Sequence, residues 1–196
     1  TAFNYADYTE DKALIESMPK RKHKSEITCI YDPNFKTYKP TIDYTNLLIK
    51  LNYKGSGKII LSVQDKRPYI VSGEKKLEYV GYFRNANFGQ PYDATTHNKS
   101  AFYETLSSCI AESLKGAGYD VVEVNSLPIE TDKALVDKMK QHGTSKILIV
   151  TLKEWLSEAY YNVGLTYDVV LTIMDERGKT IAVENIKGSD DLGDRR

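Results

Sequence analysis

Apolar residues crowd together between Lys58 and Asp65, where Ile59, Ile60, Leu61 and Val63 form a β-branched-rich block bounded by glycines before it and Pro68 after it. A short block closed by turn residues predicts a buried strand ending near Gln64. From Ser100 to Lys115 the spacing changes. Phe102, Leu106, Ile110, Leu114 and Ala117 recur every three or four positions, the mark of a helix with one buried stripe, with Asn98 as its cap and Gly116 or Gly118 as its stop. Tyr119–Val124 then reads as a strand, and Thr131–His142 as a second helix with Ala134, Leu135 and Met139 inward and Gly143 ending it. Lys146–Leu152 is the clearest strand of all. After it the period settles at two: Val163, Leu165, Tyr167, Val169, Leu171 and Ile173 share one face, Asp175–Lys179 supplies a turn, and Thr180–Ile186 returns as a hairpin partner.

Two stretches resist this treatment. Residues 66–98 hold Gly73, Gly81, Gly89 and Pro91 among the aromatics Tyr69, Tyr79, Tyr82, Phe83, Phe88 and Tyr92, and read as a long loop or hairpin of the kind that carries function. Residues 1–57 scatter their apolar positions among a charge run, Asp32-Pro33-Asn34 and Lys39-Pro40. Glu26–Tyr31 reads as a short strand, Tyr44–Tyr53 fits helix and strand equally, and Gly55-Ser56-Gly57 reads as a flexible turn. The expected fold is therefore an α/β two-layer sandwich, β-α-β-α-β followed by an antiparallel β-meander, in one domain over 58–196 behind an irregular amino-terminal extension over 1–57.

Composition narrows the function classes. The chain has 196 residues, enough to bury a sizeable core, and its 27 Lys+Arg balance 27 Asp+Glu. A net charge of zero removes the usual electrostatic case for nucleic acid or an anionic membrane, and the run Lys20–Lys24 reads as a solvated stretch. No apolar run approaches the ~20 residues that span a bilayer. Cys29 and Cys109 lie far apart in sequence, and both a disulfide and two buried thiols stay open.

Candidate chemistry is thin. His23, His97 and His142 have no partners at metal-ligand spacing, so no metal or cofactor is expected. Gly55-Ser56-Gly57-Lys58 precedes a strand, whereas a phosphate loop follows one. No Gly-x-Ser-x-Gly elbow is present. What remains is the alternation Asp65, Arg67, Tyr69 at a strand exit, which in extended backbone presents an acid, a guanidinium and a phenol together. Two readings stand: a binding set completed by the loop aromatics Phe88 and Tyr92, or a local Asp65–Arg67 ion pair that pins the loop while Tyr69 covers the sheet edge. Fifteen tyrosines against one tryptophan and five phenylalanines favour contact surfaces with one apolar and one wet end.

The stretches Leu61–Gly73, with its Gln64-Asp65-Lys66-Arg67-Pro68-Tyr69 core, Val80-Gly81, Phe88–Asp93 and Ser113–Val121, followed by Trp155 and Tyr167–Lys179, together resemble uncharacterised bacterial envelope lipoproteins. The resemblance covers about residues 58–190 and is similar in fold to the amino-terminal domain of TolB and the periplasmic domain of the curli secretion channel. It implies a non-catalytic periplasmic module, tethered to the outer membrane through an anchor outside this chain, that binds envelope or secretion-complex proteins and braces their assembly. No lipobox is visible, since Cys29 follows Glu26-Ile27-Thr28. The alternatives are a small-molecule or glycan-binding module built on Asp65, Arg67, Tyr69, Phe88 and Tyr92, and, a distant third, a hydrolase with Asp65 as base.

Overall fold

A computed structural model describes residues 26–32, 37–43, 51–84, 91–143, 146–160 and 162–194. Its strands are β1 (Glu26–Asp32), β2 (Thr37–Asp43), β3 (Lys58–Asp65), β4 (Tyr79–Arg84), β5 (Pro91–Thr96), β6 (Asp120–Glu123), β7 (Lys146–Ala159), β8 (Asn162–Met174) and β9 (Thr180–Asp194). Among the described residues three helices join them: α1 (Pro68–Val71), α2 (Phe102–Gly116) and α3 (Asp132–Lys140). The described strands form one mixed sheet. Its path is β1-β2-β5-β4-β7-β3-β6, and β8 pairs with the other side of β7 and carries β9 outward.

The block around Ile59 explains the centre of the molecule. β3 pairs in parallel with both β6 and β7, and every residue from Ile59 to Asp65 is buried. Successive side chains of a strand point to opposite faces, so burial of all of them requires cover on both sides. The cover is two helices. Ile59, Leu61 and Val63 pack with Phe102, Tyr103, Ala111 and Leu114 of α2, while Ile60 packs with Leu135 and Met139 of α3 and with Ile147 and Ile149 of β7. The expected two-layer arrangement therefore gives way, around β3, to helices on opposite faces of the sheet.

Several local expectations shift for identifiable reasons. Asn98 does not cap α2; Oδ1 of Asn98 accepts from Ser100 N and Oγ in a turn upstream, and the helix starts after Ala101 without a side-chain cap. On α2, Leu106 and Ile110 are only partly covered, while Tyr103, Cys109 and Ala111 take buried places. In α3, Leu135 and Met139 are fully buried but Ala134 is exposed, and Thr131 Oγ1 caps the first turn by accepting from Ala134 N. β9 continues past Ile186 to Asp194, carried by antiparallel pairing along the whole of β8. β1 and β2 join the sheet: they pair antiparallel with each other, and β2 lies parallel to β5 through Thr41–Thr95 and Ile42–Thr96. Gly55 is packed rather than loose, donating its N–H to Ala117 O at 2.8 Å beneath the Tyr119 ring. The side chain of Cys29, and with it the disulfide reading, lies outside the described residues, as do 44–50 of the stretch Tyr44–Tyr53; Cys109 is buried on α2.

The described part of residues 66–98, a stretch read as a loop or hairpin, folds into α1 and the antiparallel β4–β5 pair, and this insertion positions the candidate site. It also interrupts the expected alternation of strand and helix between β3 and α2.

Candidate functional site

The site begins with a gap in the sheet. β7 is longer than its neighbours on one side: Lys146–Leu152 pairs with β3, and Ser157–Ala159 pairs with β4. Between these two tracts, at a register shift on the β8 side of the strand, β7 has no strand to pair with on this edge. Backbone carbonyls there still need donors, because a buried unpaired polar group is costly. The chain leaving β3 supplies them. Lys66 N donates to Leu152 O at 2.8 Å, and Pro68 then starts α1, a position that suits its fixed φ and missing N–H.

Arg67 closes the gap with its side chain. Nη1 donates to Tyr79 O at 2.8 Å and to Trp155 O at 3.3 Å, joining β4 to β7 where they approach. Nε and Nη2 grip the two oxygens of Asp65 at 2.8 and 2.6 Å. The guanidinium also lies 5.2 Å from the Phe102 ring centre and 5.5 Å from that of Tyr69, within cation–π range of both. Both members of the ion pair are fully buried, 0% exposed. Burial opposes the charge on Arg67, but the hydrogen bonds and attraction of Asp65 outweigh it and raise the guanidinium's pKa.

Tyr69 extends the joint. Its hydroxyl lies 2.6 Å from Glu154 Oε1 and 3.0 Å from Trp155 O, donating toward that end of the gap, and its ring meets Tyr79 edge-on at 5.4 Å. Burial first, and then the hydrogen bond to Glu154, push the Tyr69 phenol well above its ordinary range. Tyr79 is pushed up to about 12, again chiefly by burial. Phe102, Trp155 and Tyr167 continue the aromatic row across the sheet.

Of the five residues read as a binding set, the fold brings Asp65, Arg67 and Tyr69 together. Tyr92 stands apart on β5, half exposed and paired with Phe83, and Phe88 lies outside the described residues. The ion-pair geometry is the one formed. Both carboxylate oxygens of Asp65 are engaged and no surface of either charged group is open, so the arrangement acts on backbone: it replaces a missing strand. Glu154 and the carbonyls of Tyr79 and Trp155 were absent from the sequence reading. The carbonyls carry no residue-type signal, being present at every position.

A glycine completes the joint. Gly81 has φ +151, and a Cβ there would sit 1.9 Å from Ser157 O. Only a residue without a side chain lets β4 close onto β7 here, beside the register shift of β4 against β5 between Tyr79 and Gly81.

A second arrangement faces outward. Segment 124–131, leaving β6 for α3, is tied down by Lys66 Nζ, which donates to Pro128 O at 2.9 Å and to Glu130 O, and by Lys138 Nζ, which donates to Asn125 O. Leu127 N donates to Glu130 Oε2 at 3.3 Å. The restrained segment turns Ser126 inward, 1% exposed, and holds Leu127 and Ile129 outward, 59% and 77% exposed.

No family model matches the chain, and no curated protein matches it significantly. Among solved structures it is similar to bacterial proteins. Protein XCC0632 of Xanthomonas campestris, of the DUF330 family model, is 8% identical at a TM-score of 0.44, over 71% of this chain and 69% of that one. Lipoprotein GNA1162 of Neisseria meningitidis is 11% identical at 0.36, over 70% and 84%. The PelC dodecamer of Paraburkholderia phytofirmans is 12% identical at 0.38, over 84% and 82%. Likeness of this degree assigns neither family nor function. No helix among the described residues is long and apolar enough to cross a membrane.

Proposed function

We propose that this chain is a non-catalytic protein of the bacterial envelope, periplasmic and held at the outer membrane through an anchor outside the chain, that binds partner proteins in an envelope assembly such as a secretion system. The observation that carries the reading is the outward display of Leu127 and Ile129. Large aliphatic side chains are common at a surface one by one, but here the backbone that bears them is fixed by two lysines and a glutamate. A contact held in shape beforehand loses less conformational entropy on binding, which suits a recognition loop. The resemblance of Leu61–Gly73 and Ser113–Val121 to envelope lipoproteins adds the compartment. The sealing of Asp65 and Arg67 favours this reading over a ligand cleft built on those residues.

The test places a photo-crosslinking amino acid at Ile129 in the full-length protein, expressed in its native envelope, and identifies linked residues by mass spectrometry. A stoichiometric complex linked at position 129, and lost when Leu127→Ser is added to the crosslinker-bearing protein, supports the proposal. Recovery of the protein alone overturns it.

A further inference from the structure

The inner side of segment 124–131 carries a separate inference. Ser62, Gln64 and Lys66 follow one another along one side of the β3 exit. Ser62 Oγ donates to Val124 O at 2.7 Å, and Lys66 Nζ donates to the carbonyls of Pro128 and Glu130. Gln64 stands between them and so faces the arc 125–127, where Ser126 is buried. It is 1% exposed, and its Nε2 has no hydrogen-bond partner among the described residues. A buried primary amide with unused donors is costly and calls for an acceptor.

The topology gives the place a meaning. β3 and β6 are adjacent and parallel; the chain leaving β3 turns through α1 into β4 and β5 before reaching α2 on one face of the sheet, while the chain leaving β6 leads directly to α3 on the other. The carboxyl ends of adjacent parallel strands are where α/β sheets take ligands in a crevice, and here that end is roofed by segment 124–131. The first turn of α3, nine residues long, starts at this end, next to the Glu130 carbonyl that Lys66 holds. Helix N-termini favour an acceptor, and here the buried Gln64 amide is the independent second donor. Glu130 and Asp132 lie at the same end, and their carboxylates weigh against a multiply charged anion.

We propose that this crevice binds the carboxylate of a small organic acid, received by Gln64 Nε2 and Lys66 Nζ beside the first turn of α3, with segment 124–131 as a roof that lifts when Lys66 gives up the Pro128 and Glu130 carbonyls. The proposal uses the inner side of the segment; because the roof also bears Leu127 and Ile129, entry of the acid is expected to compete with any contact made on its outer side.

The experiment follows the Gln64 side-chain amide signals by NMR in the full chain, assigned by their loss in Gln64→Leu, during titration with sodium acetate and, separately, sodium chloride and inorganic phosphate. The expected result is a saturable shift of the Gln64 amide with acetate, a weaker response to phosphate and none with chloride. Gln64→Leu removes the orphan donor at similar volume, so it is expected to melt about 2–4 °C higher and to lose the saturable acetate response elsewhere around the roof. Equal responses to acetate and chloride overturn the proposal. So does an unmoved amide that contacts only a long-lived water, or a Gln64→Leu variant that melts lower than the parent.

Discussion

The two halves of β7 are one strand in two environments. Lys146–Leu152 runs beside β3 in the middle of the molecule, with Ile147 and Ile149 under α3 and Val150 and Leu152 facing the α2 side. Glu154–Ala159 runs along β8 and meets β4 only from Ser157 onward, and there just Ser157 and Ala159 are buried while the other side chains are partly covered. The first half is held by area removed from water. The second is held at its start by a buried charge pair that reaches across a gap in the pairing. Hydrophobic burial is non-directional and tolerates repacking, whereas the Asp65–Arg67 joint depends on four donors meeting their acceptors.

The contrast is most directly broken at Arg67. Arg67→Met leaves Asp65 buried and unpaired, and the expected loss is about 3–5 kcal/mol by urea unfolding. Asp65→Leu/Arg67→Met should recover part of that loss but not all, because the carbonyls of Tyr79 and Trp155 still lack their donor. A single variant within about 1 kcal/mol of the parent would show that the gap is not held by this pair.

Gly81→Ala tests the close approach of β4 to β7. With φ at +151 and a Cβ 1.9 Å from Ser157 O, the expected cost is about 2–3 kcal/mol. Gly116→Ala, at the end of α2 where an added Cβ meets nothing within 4 Å, serves as the opposite case and should be neutral or gain up to about 1 kcal/mol. Equal effects at the two glycines would remove the argument from close packing.

Tyr69→Phe removes the bond to Glu154 and should cost about 1–2 kcal/mol at neutral pH. Its pH dependence has a definite sign. Burial raises the phenols of Tyr69 and Tyr79 in the folded state, the latter to about 12, so their contribution is fully present below the unfolded value of about 10 and is lost as pH rises through the raised folded values. The parent is expected to lose stability over that alkaline range more steeply than Tyr69→Phe; parallel curves in urea unfolding would count against it.

The smallest expected effect is on the outward loop. Leu127→Ser and Ile129→Ser, made singly, should each change stability by no more than about 0.5 kcal/mol, while Leu127→Ser abolishes the complex crosslinked at position 129. A large loss of stability would mean that these side chains pack within the chain.

Much of the frame was legible before any coordinates. The apolar block at Ile59–Val63, the helical spacing of Leu135 and Met139, and the two-residue period of Val163–Ile173 each reflect a side-chain periodicity that local geometry imposes. The block held more than the expected two-layer arrangement used, since a strand apolar at consecutive positions already implies cover on both faces. At the site, Asp65 and Arg67 stand two positions apart, close enough for their pairing to be read locally. The acceptors of Arg67 at Tyr79 and Trp155 are 12 and 88 positions away and belong to the backbone, so no residue type announces them. The orphan amide of Gln64 was hidden for a similar reason: in sequence it is merely the polar end of an apolar strand.

The sequence by itself marked β1, β3, β6, the first half of β7, β8, α2 and α3 and set Asp65 within reach of Arg67, because periodicity and short separation are properties of the chain. Only the tertiary structure decided that the pair is sealed rather than open, that it stands in for a strand beside β7, and that Leu127 and Ile129 face out while Ser126 faces in. Those outcomes depend on which distant backbone groups are left without partners once the sheet has assembled, and hydrogen-bond demand of that kind is written at no single position.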